Sequence, residues 1–116
     1  MPVDLPFTSI GCYNGDMGEK VKHEECSLMD GDYRSRTDAI GKCERCAKLL
    51  GRKYFGVENG GKCYSWERRE FNKGSESKTA CISNGKGGNG WTMVYERKCK
   101  YHLLHCTRER REPLNL

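Results

Sequence analysis

The side chains of this sequence that could carry out chemistry are its histidines, its carboxylates and its eight cysteines. The three histidines, His23, His102 and His105, lie in no motif of a nucleophile or of an acid–base pair. No pair of carboxylates has the pattern of a glycosidase site, and the glycine-rich run at residues 85–90 lacks the flanking strand and helix of a phosphate-binding loop. The sequence therefore predicts a protein that is not an enzyme and that uses no cofactor.

The eight cysteines can pair as four disulfide bonds, and the composition favours this interpretation. Only 35% of the 116 residues are hydrophobic and 32% are charged, which is a small supply of core for a chain of this length. A disulfide that closes a loop of about 20 residues contributes roughly 2–4 kcal/mol, so four of them would replace much of the missing core. Because disulfides persist in oxidising compartments, we expect a secreted, extracellular protein.

Metal binding is the alternative use of the cysteines. Cys43 and Cys46 have the spacing of zinc ligands or of a redox pair. Further zinc ligands could come from the end of the chain: Cys99, His102, His105 and Cys106. The two groups lie more than 50 residues apart, and zinc would leave four cysteines unexplained. A redox pair should precede a helix, whereas this one lies inside a helical pattern. We therefore predict no metal site.

A sugar-binding role has suitable side chains in this sequence. Proteins hold sugars with an aromatic ring against the apolar face and with amide, carboxylate or guanidinium groups that bind the hydroxyls. Five residues fit this chemistry and are predicted as ligand-binding candidates: Glu58, Asn59, Tyr64, Trp66 and Trp91. The same two tryptophans would also suit the core of a small domain, and Asn59 would also suit a turn.

One helix and one hairpin must position these residues. Residues 35–50 predict an amphipathic helix with Ser35 or Thr37 as its N-cap and Gly51 as a left-handed C-cap. Residues 53–58 and 62–66 predict two strands joined by a turn at residues 59–61. Strand alternation places Tyr64 and Trp66 on one face of the hairpin. The other expected groups are Phe55 with Val57, Tyr54 with Gly56, and Cys63 with Ser65.

Two shorter strands, at residues 8–13 and 91–96, are predicted on either side of this unit. The segments 17–36 and 67–90 are polar and read as loops. The predicted fold is α+β: a small disulfide-rich domain in which one main helix packs on a small antiparallel sheet with long loops.

The net charge of +5 is concentrated near the end of the chain, where residues 97–112 contain six basic and two acidic residues. This segment either keeps the domain soluble or contacts an anionic polysaccharide, a membrane surface or an acidic protein. No recognition motif accompanies the charge, so we predict no binding to nucleic acid. No segment is apolar enough to span a membrane, so we expect no membrane insertion.

Several motifs occur in a recognisable order. They are Ile10-Gly11-Cys12-Tyr13, a Leu-Met-Asp-Gly-Asp-Tyr-Arg-Ser-Arg-Thr stretch at residues 28–37, Cys43 in the helix, the run from Tyr54 to Tyr64, and a Gly-Gly segment ending in Val-Tyr at residues 87–95. This order resembles the WSC domain, a cysteine-rich extracellular module, and especially the WSC-like modules of marine invertebrate secreted proteins. The resemblance covers residues 7–96 and leaves residues 97–116 as a basic C-terminal extension.

The resemblance implies two disulfides, Cys43–Cys63 and Cys12–Cys81. Cys26, Cys46, Cys99 and Cys106 are additional to the shared four, and they could pair as Cys26–Cys46 with Cys99–Cys106 or in other ways. The WSC pattern has a Cys-x-Cys motif after the hairpin. Here the corresponding residues are Cys63-Tyr64-Ser65, so only the first cysteine of the motif is present. The function implied is carbohydrate binding or adhesion. The alternative is a secreted protein-binding module, such as a matrix component, an inhibitor, a signal or a toxin-like ligand.

Overall fold

The computed structural model describes residues 5–14, 20–69, 71, 75–81 and 84–98. Within these residues one helix packs against a five-stranded antiparallel sheet, which confirms the predicted small α+β fold. The helix α1 is Ala39–Leu50. The strands are β1 Phe7–Tyr13, β2 Tyr54–Glu58, β3 Lys62–Trp66, β4 Glu76–Ser77 and β5 Thr92–Arg97, in the spatial order β3-β2-β5-β1-β4.

Helix α1 begins four residues later than the sequence predicts. The segment Tyr33–Ser35 forms a separate 3-10 helix. Asp38 has a left-handed φ of 49°, which prevents a continuous helix from extending into α1. The N-cap position is therefore Asp38, without a side-chain cap, and the prediction of Ser35 or Thr37 is wrong. The Thr37 hydroxyl instead accepts a hydrogen bond from Lys42 Nζ at 3.2 Å.

The predicted end of α1 is confirmed. Gly51 is left-handed, with φ 72°, and its N–H donates to the Lys48 carbonyl. The next N–H, of Arg52, reaches back to the Ala47 carbonyl at 2.8 Å. These two bonds form the Schellman arrangement that satisfies the last carbonyls of a helix.

The hairpin of β2 and β3 is confirmed, and its two faces have different partners. Phe55 and Val57 lie on the face that packs against α1, together with Cys63 and Tyr95. Tyr54 and Trp66 lie on the opposite face in a second cluster. The alternation predicted for the two strands therefore holds, and both faces of the sheet are covered by apolar side chains.

The second cluster contains a residue that no periodic pattern marks. Phe71, from the segment after β3, is only 1% exposed and contacts the rings of Tyr13, Tyr54 and Trp66, each at a centroid distance of 5.3 Å. The rings meet edge-on or tilted, as aromatic pairs prefer. This small core covers the face of the sheet that α1 does not cover.

The first and last strands along the chain, β1 and β5, depart slightly from their predicted bounds. Strand β1 begins one residue early, and β5 begins at Thr92 because Trp91 forms only an isolated bridge with Gly88. The segment predicted as a loop between β3 and β5 contains the two-residue strand β4, which pairs with the end of β1.

Three disulfides link these elements. Cys43–Cys63 joins α1 to β3, Cys26–Cys46 joins α1 to the preceding loop, and Cys12–Cys81 joins β1 to the segment after β4. They match three of the four expected pairings; Cys99 and Cys106 lie outside the described residues.

The alternative zinc site is excluded in its predicted form, because Cys43 and Cys46 are each bonded to another cysteine. Among the residues that the structure describes, no group of three potential metal ligands occurs. Within the same residues, no helix combines the length and the apolar character needed to cross a membrane.

Candidate ligand-binding site

Partly exposed aromatic and polar side chains gather where the β2–β3 hairpin turns. We call this group the hairpin-end surface, and its members are Tyr33, Glu58, Asn59, Lys62 and Tyr64. Glu58 ends β2, Asn59 begins the turn, and Lys62 and Tyr64 follow on β3. Three of these five, Glu58, Asn59 and Tyr64, are ligand-binding candidates predicted from the sequence.

Two hydrogen bonds connect the side chains of this surface. The Tyr64 hydroxyl donates to Glu58 Oε1 at 3.1 Å, and Asn59 Nδ2 donates to the Tyr33 hydroxyl at 3.3 Å. The second carboxylate oxygen of Glu58 accepts the backbone N–H of Gly90 at 3.1 Å. Each polar group is thus held in one orientation, which lowers the entropy lost when a ligand binds.

Burial raises the pKa of Tyr64 to about 12, and the neighbouring Glu58 carboxylate adds to this shift. The phenol ordinarily titrates near 10. The hydroxyl therefore remains protonated throughout the physiological range and serves Glu58 as a donor.

Tyr33 reaches the hairpin from a distant part of the sequence, and Arg36 holds it there. The guanidinium of Arg36 donates from Nη1 to the Gly61 carbonyl at 2.6 Å and from Nη2 to the Met29 carbonyl at 2.9 Å. A Cβ atom on Gly61 would overlap the Tyr33 carbonyl oxygen, so only glycine permits this approach. Tyr33 and Lys62 of this surface, and Arg36 that supports it, are not among the candidates predicted from the sequence.

Two cationic groups lie beside the Tyr33 ring. The guanidinium carbon of Arg34 is 4.7 Å from the ring centroid, and Lys62 Nζ is 5.0 Å from it. Both distances fall within the range of cation–π attraction. Asp32 accepts hydrogen bonds from the backbone N–H and Nη1 of Arg34, and the backbone bond is the main cause of the lowered pKa of Asp32.

The two predicted tryptophans occupy different environments. Trp66 stacks beside Tyr64, with centroids 6.3 Å apart, but it is only 7% exposed and belongs to the second core. Its ring therefore offers little surface to a ligand. This agrees with the alternative prediction that Trp66 is a core residue. Trp91 is half-buried and exchanges two backbone hydrogen bonds with Gly88.

The glycine-rich segment from 84 to 90 packs against the hairpin turn instead of extending into solvent. The Gly60 N–H donates to the Lys86 carbonyl at 2.9 Å, and the Tyr95 hydroxyl donates to the Gly85 carbonyl. A Cβ on Gly87 would overlap the Val57 and Trp91 carbonyl oxygens. The glycines here permit close packing of backbone against backbone.

No protein-family model matches the chain, and no curated protein matches it significantly. The WSC-like assignment therefore stays a prediction based on the order of the motifs.

Proposed function

We propose that this chain is an extracellular, WSC-like binding module that recognises carbohydrate through its hairpin-end surface, in lectin-like binding or adhesion. The observation that carries the proposal is a partly exposed aromatic ring, that of Tyr64, bordered by fixed polar groups. The Glu58 carboxylate is hydrogen-bonded to the Tyr64 hydroxyl, and the Asn59 amide is hydrogen-bonded to the neighbouring Tyr33. An aromatic face bordered by fixed carboxylate and amide groups is the combination that proteins use to bind sugars. The three disulfides support a protein of an oxidising compartment.

The polar groups retain bonding capacity for a ligand. A carboxylate has about four lone-pair sites and an amide has two N–H donors, so the observed bonds use only part of each group. Glu58 contributes one bond per oxygen, and Asn59 contributes one N–H. Sugar hydroxyls both donate and accept, so they can use the sites that remain.

The test is a glycan array probed with the full chain and its disulfides intact. We expect binding to a subset of glycans and a loss of about tenfold or more in affinity for Tyr64→Ala, because the variant removes the stacking surface. Tyr64→Phe should retain most of the affinity, since it keeps the ring. Leu49→Ala, at an exposed position on α1, is the control and should bind like the wild type.

An array without signal would contradict the proposal and would favour the alternative, an extracellular protein ligand. Equal binding by Tyr64→Ala and the wild type would instead show that the ligand contacts another surface. Trp91→Ala, measured in the same array, tests whether the ligand extends beyond the hairpin to the end of the glycine-rich segment.

A further inference from the structure

The cations beside Tyr33 extend the proposed site toward charged ligands. We propose that the hairpin-end surface selects glycans that carry anionic groups, sulfate or carboxylate, and that Lys62 and Arg34 bind those groups. This inference rests on the proposed carbohydrate-binding function and adds the charge class of its ligand.

The Tyr33 ring brings two cationic groups close together. Since each lies within 5.0 Å of the ring centroid, they are separated by no more than about 10 Å. The contact with the ring also restricts two long side chains that would otherwise lose rotamer entropy when an anion binds.

Lys62 forms no ion pair with the carboxylate opposite it. Glu58 is the cross-strand partner of Lys62, yet its two oxygens accept hydrogen bonds from Tyr64 and Gly90. Among the described residues, Lys62 forms no salt bridge, and neither does Arg36 behind it.

Arg34 can still donate hydrogen bonds to a ligand, although its guanidinium contacts Asp32. The carboxylate contacts the guanidinium through Nη1 alone, and the Arg34 side chain is 71% exposed. A guanidinium has five N–H donors in a fork that matches a sulfate or carboxylate group. Its other edge can therefore receive an anion.

The charged and the aromatic parts of the surface lie on one face. Lys62 and Tyr64 are two residues apart on β3, so their side chains project to the same side about 7 Å from each other. A sugar ring on Tyr64 can place a sulfate or carboxylate substituent near Lys62.

The experiment compares neutral, carboxylated and sulfated glycans that share one backbone. We expect the full-length wild type to bind at least one charged series more tightly than the neutral series and to lose affinity as salt increases. The double variant Arg34→Gln/Lys62→Gln should lose about tenfold or more in affinity for that series, because charge-assisted hydrogen bonds are lost. The relative loss on sulfated and carboxylated members tells which anion the site prefers.

The matched control removes one arginine and one lysine elsewhere. Arg45→Gln/Lys48→Gln changes two exposed positions of α1 and should leave the charged series within about twofold of the wild type. A second control, Arg108→Gln/Arg110→Gln, separates the contribution of the basic extension.

Three results would overturn the inference. Preference for the neutral series, with unchanged binding by Arg34→Gln/Lys62→Gln, would contradict the anionic selectivity and leave the carbohydrate-binding proposal standing. Equal losses in the Arg34→Gln/Lys62→Gln and Arg45→Gln/Lys48→Gln variants would show a general charge effect. Absence of binding to every glycan would reject the inference together with the proposed function.

Discussion

At the scale of single residues, Tyr64 connects the core to the surface. Its ring lies against Trp66 on the inner side, and its hydroxyl bonds to Glu58 on the outer side. Strand alternation predicts that Tyr64 and Trp66 share a face, and this holds. Alternation does not show which of the two is covered, because that depends on Phe71, which comes from a segment without periodicity.

The raised pKa of Tyr64 predicts how stability depends on alkaline pH. A group whose pKa is higher in the folded state stabilises the fold below its unfolded pKa and loses that contribution as pH rises through the folded value. For Tyr64 this window runs from about 10 to about 12. We expect the tyrosinate absorbance of the native protein to include a phenol that ionises near 12, and we expect Tyr64→Phe to lack it.

Tyr95 is the control for this titration, since burial also raises its pKa. Tyr95→Phe should leave the Tyr64 transition in place. The assignment is contradicted if the wild type and Tyr64→Phe give the same absorbance change between pH 11 and 12 after scaling for the number of tyrosines.

Gly61 and Gly60 form a matched pair that tests the contact with Tyr33. Gly61→Ala inserts a methyl group into the Tyr33 carbonyl, whereas Gly60, with φ 92°, has no atom near its missing Cβ. We expect Gly61→Ala to lower the free energy of unfolding by roughly 2–3 kcal/mol and Gly60→Ala by about 1 kcal/mol. Urea unfolding measures both. Equal costs would show that the Tyr33 loop does not depend on this close approach.

At the scale of the elements, local signals were predictable and long-range contacts were not. Gly51 marks the end of α1 by itself, since it supplies the left-handed residue that a Schellman motif needs. The start of α1 differs from the predicted one because Asp38 takes a left-handed conformation that L-residues seldom adopt.

In the candidate site, too, the contacts within one hairpin were predictable and the contacts with residues distant in sequence were not. Glu58, Asn59 and Tyr64 are consecutive parts of one hairpin, so strand alternation and the turn signal were enough to group them. Tyr33 and Arg36 join them through long-range contacts, such as the hydrogen bonds to Asn59 and Gly61, each 25 or 26 residues away in sequence. No periodic pattern reports such a contact.

The disulfides differ in their exposure, which predicts the order of their reduction. The bonds Cys43–Cys63 and Cys26–Cys46 are formed by cysteines that are at most 4% exposed, whereas Cys81 is half-buried. Because a thiolate must reach a sulfur atom to exchange with it, limiting reductant should open Cys12–Cys81 first. Alkylation and peptide mapping would identify the labelled residues, with Cys99 and Cys106 scored separately. Earlier labelling of Cys43 or Cys46 would contradict this order.

At the scale of the whole molecule, the sheet is covered on both sides and its far end is closed by a buried ion pair. Arg97 Nε, at the end of β5, lies 3.3 Å from Glu44 Oε2 on α1, and the Arg97 side chain is only 4% exposed. Arg97 Nη1 also donates to the Arg52 carbonyl at 3.0 Å. Arg97 therefore connects α1, β5 and the segment that leads from α1 into β2.

This ion pair should be far more sensitive to neutralisation than the partly exposed Lys53–Glu96 pair. Glu44→Gln removes the negative charge that lies 3.3 Å from the buried Arg97 guanidinium, and we expect it to lower the free energy of unfolding by about 2–4 kcal/mol. Glu96→Gln is the matched control, because it neutralises the same residue type in the Lys53–Glu96 pair, whose side chains are 30% and 36% exposed. Its cost should stay below about 1 kcal/mol. Urea unfolding with the disulfides intact would measure both values; equal costs would mean that Arg97 is compensated without Glu44.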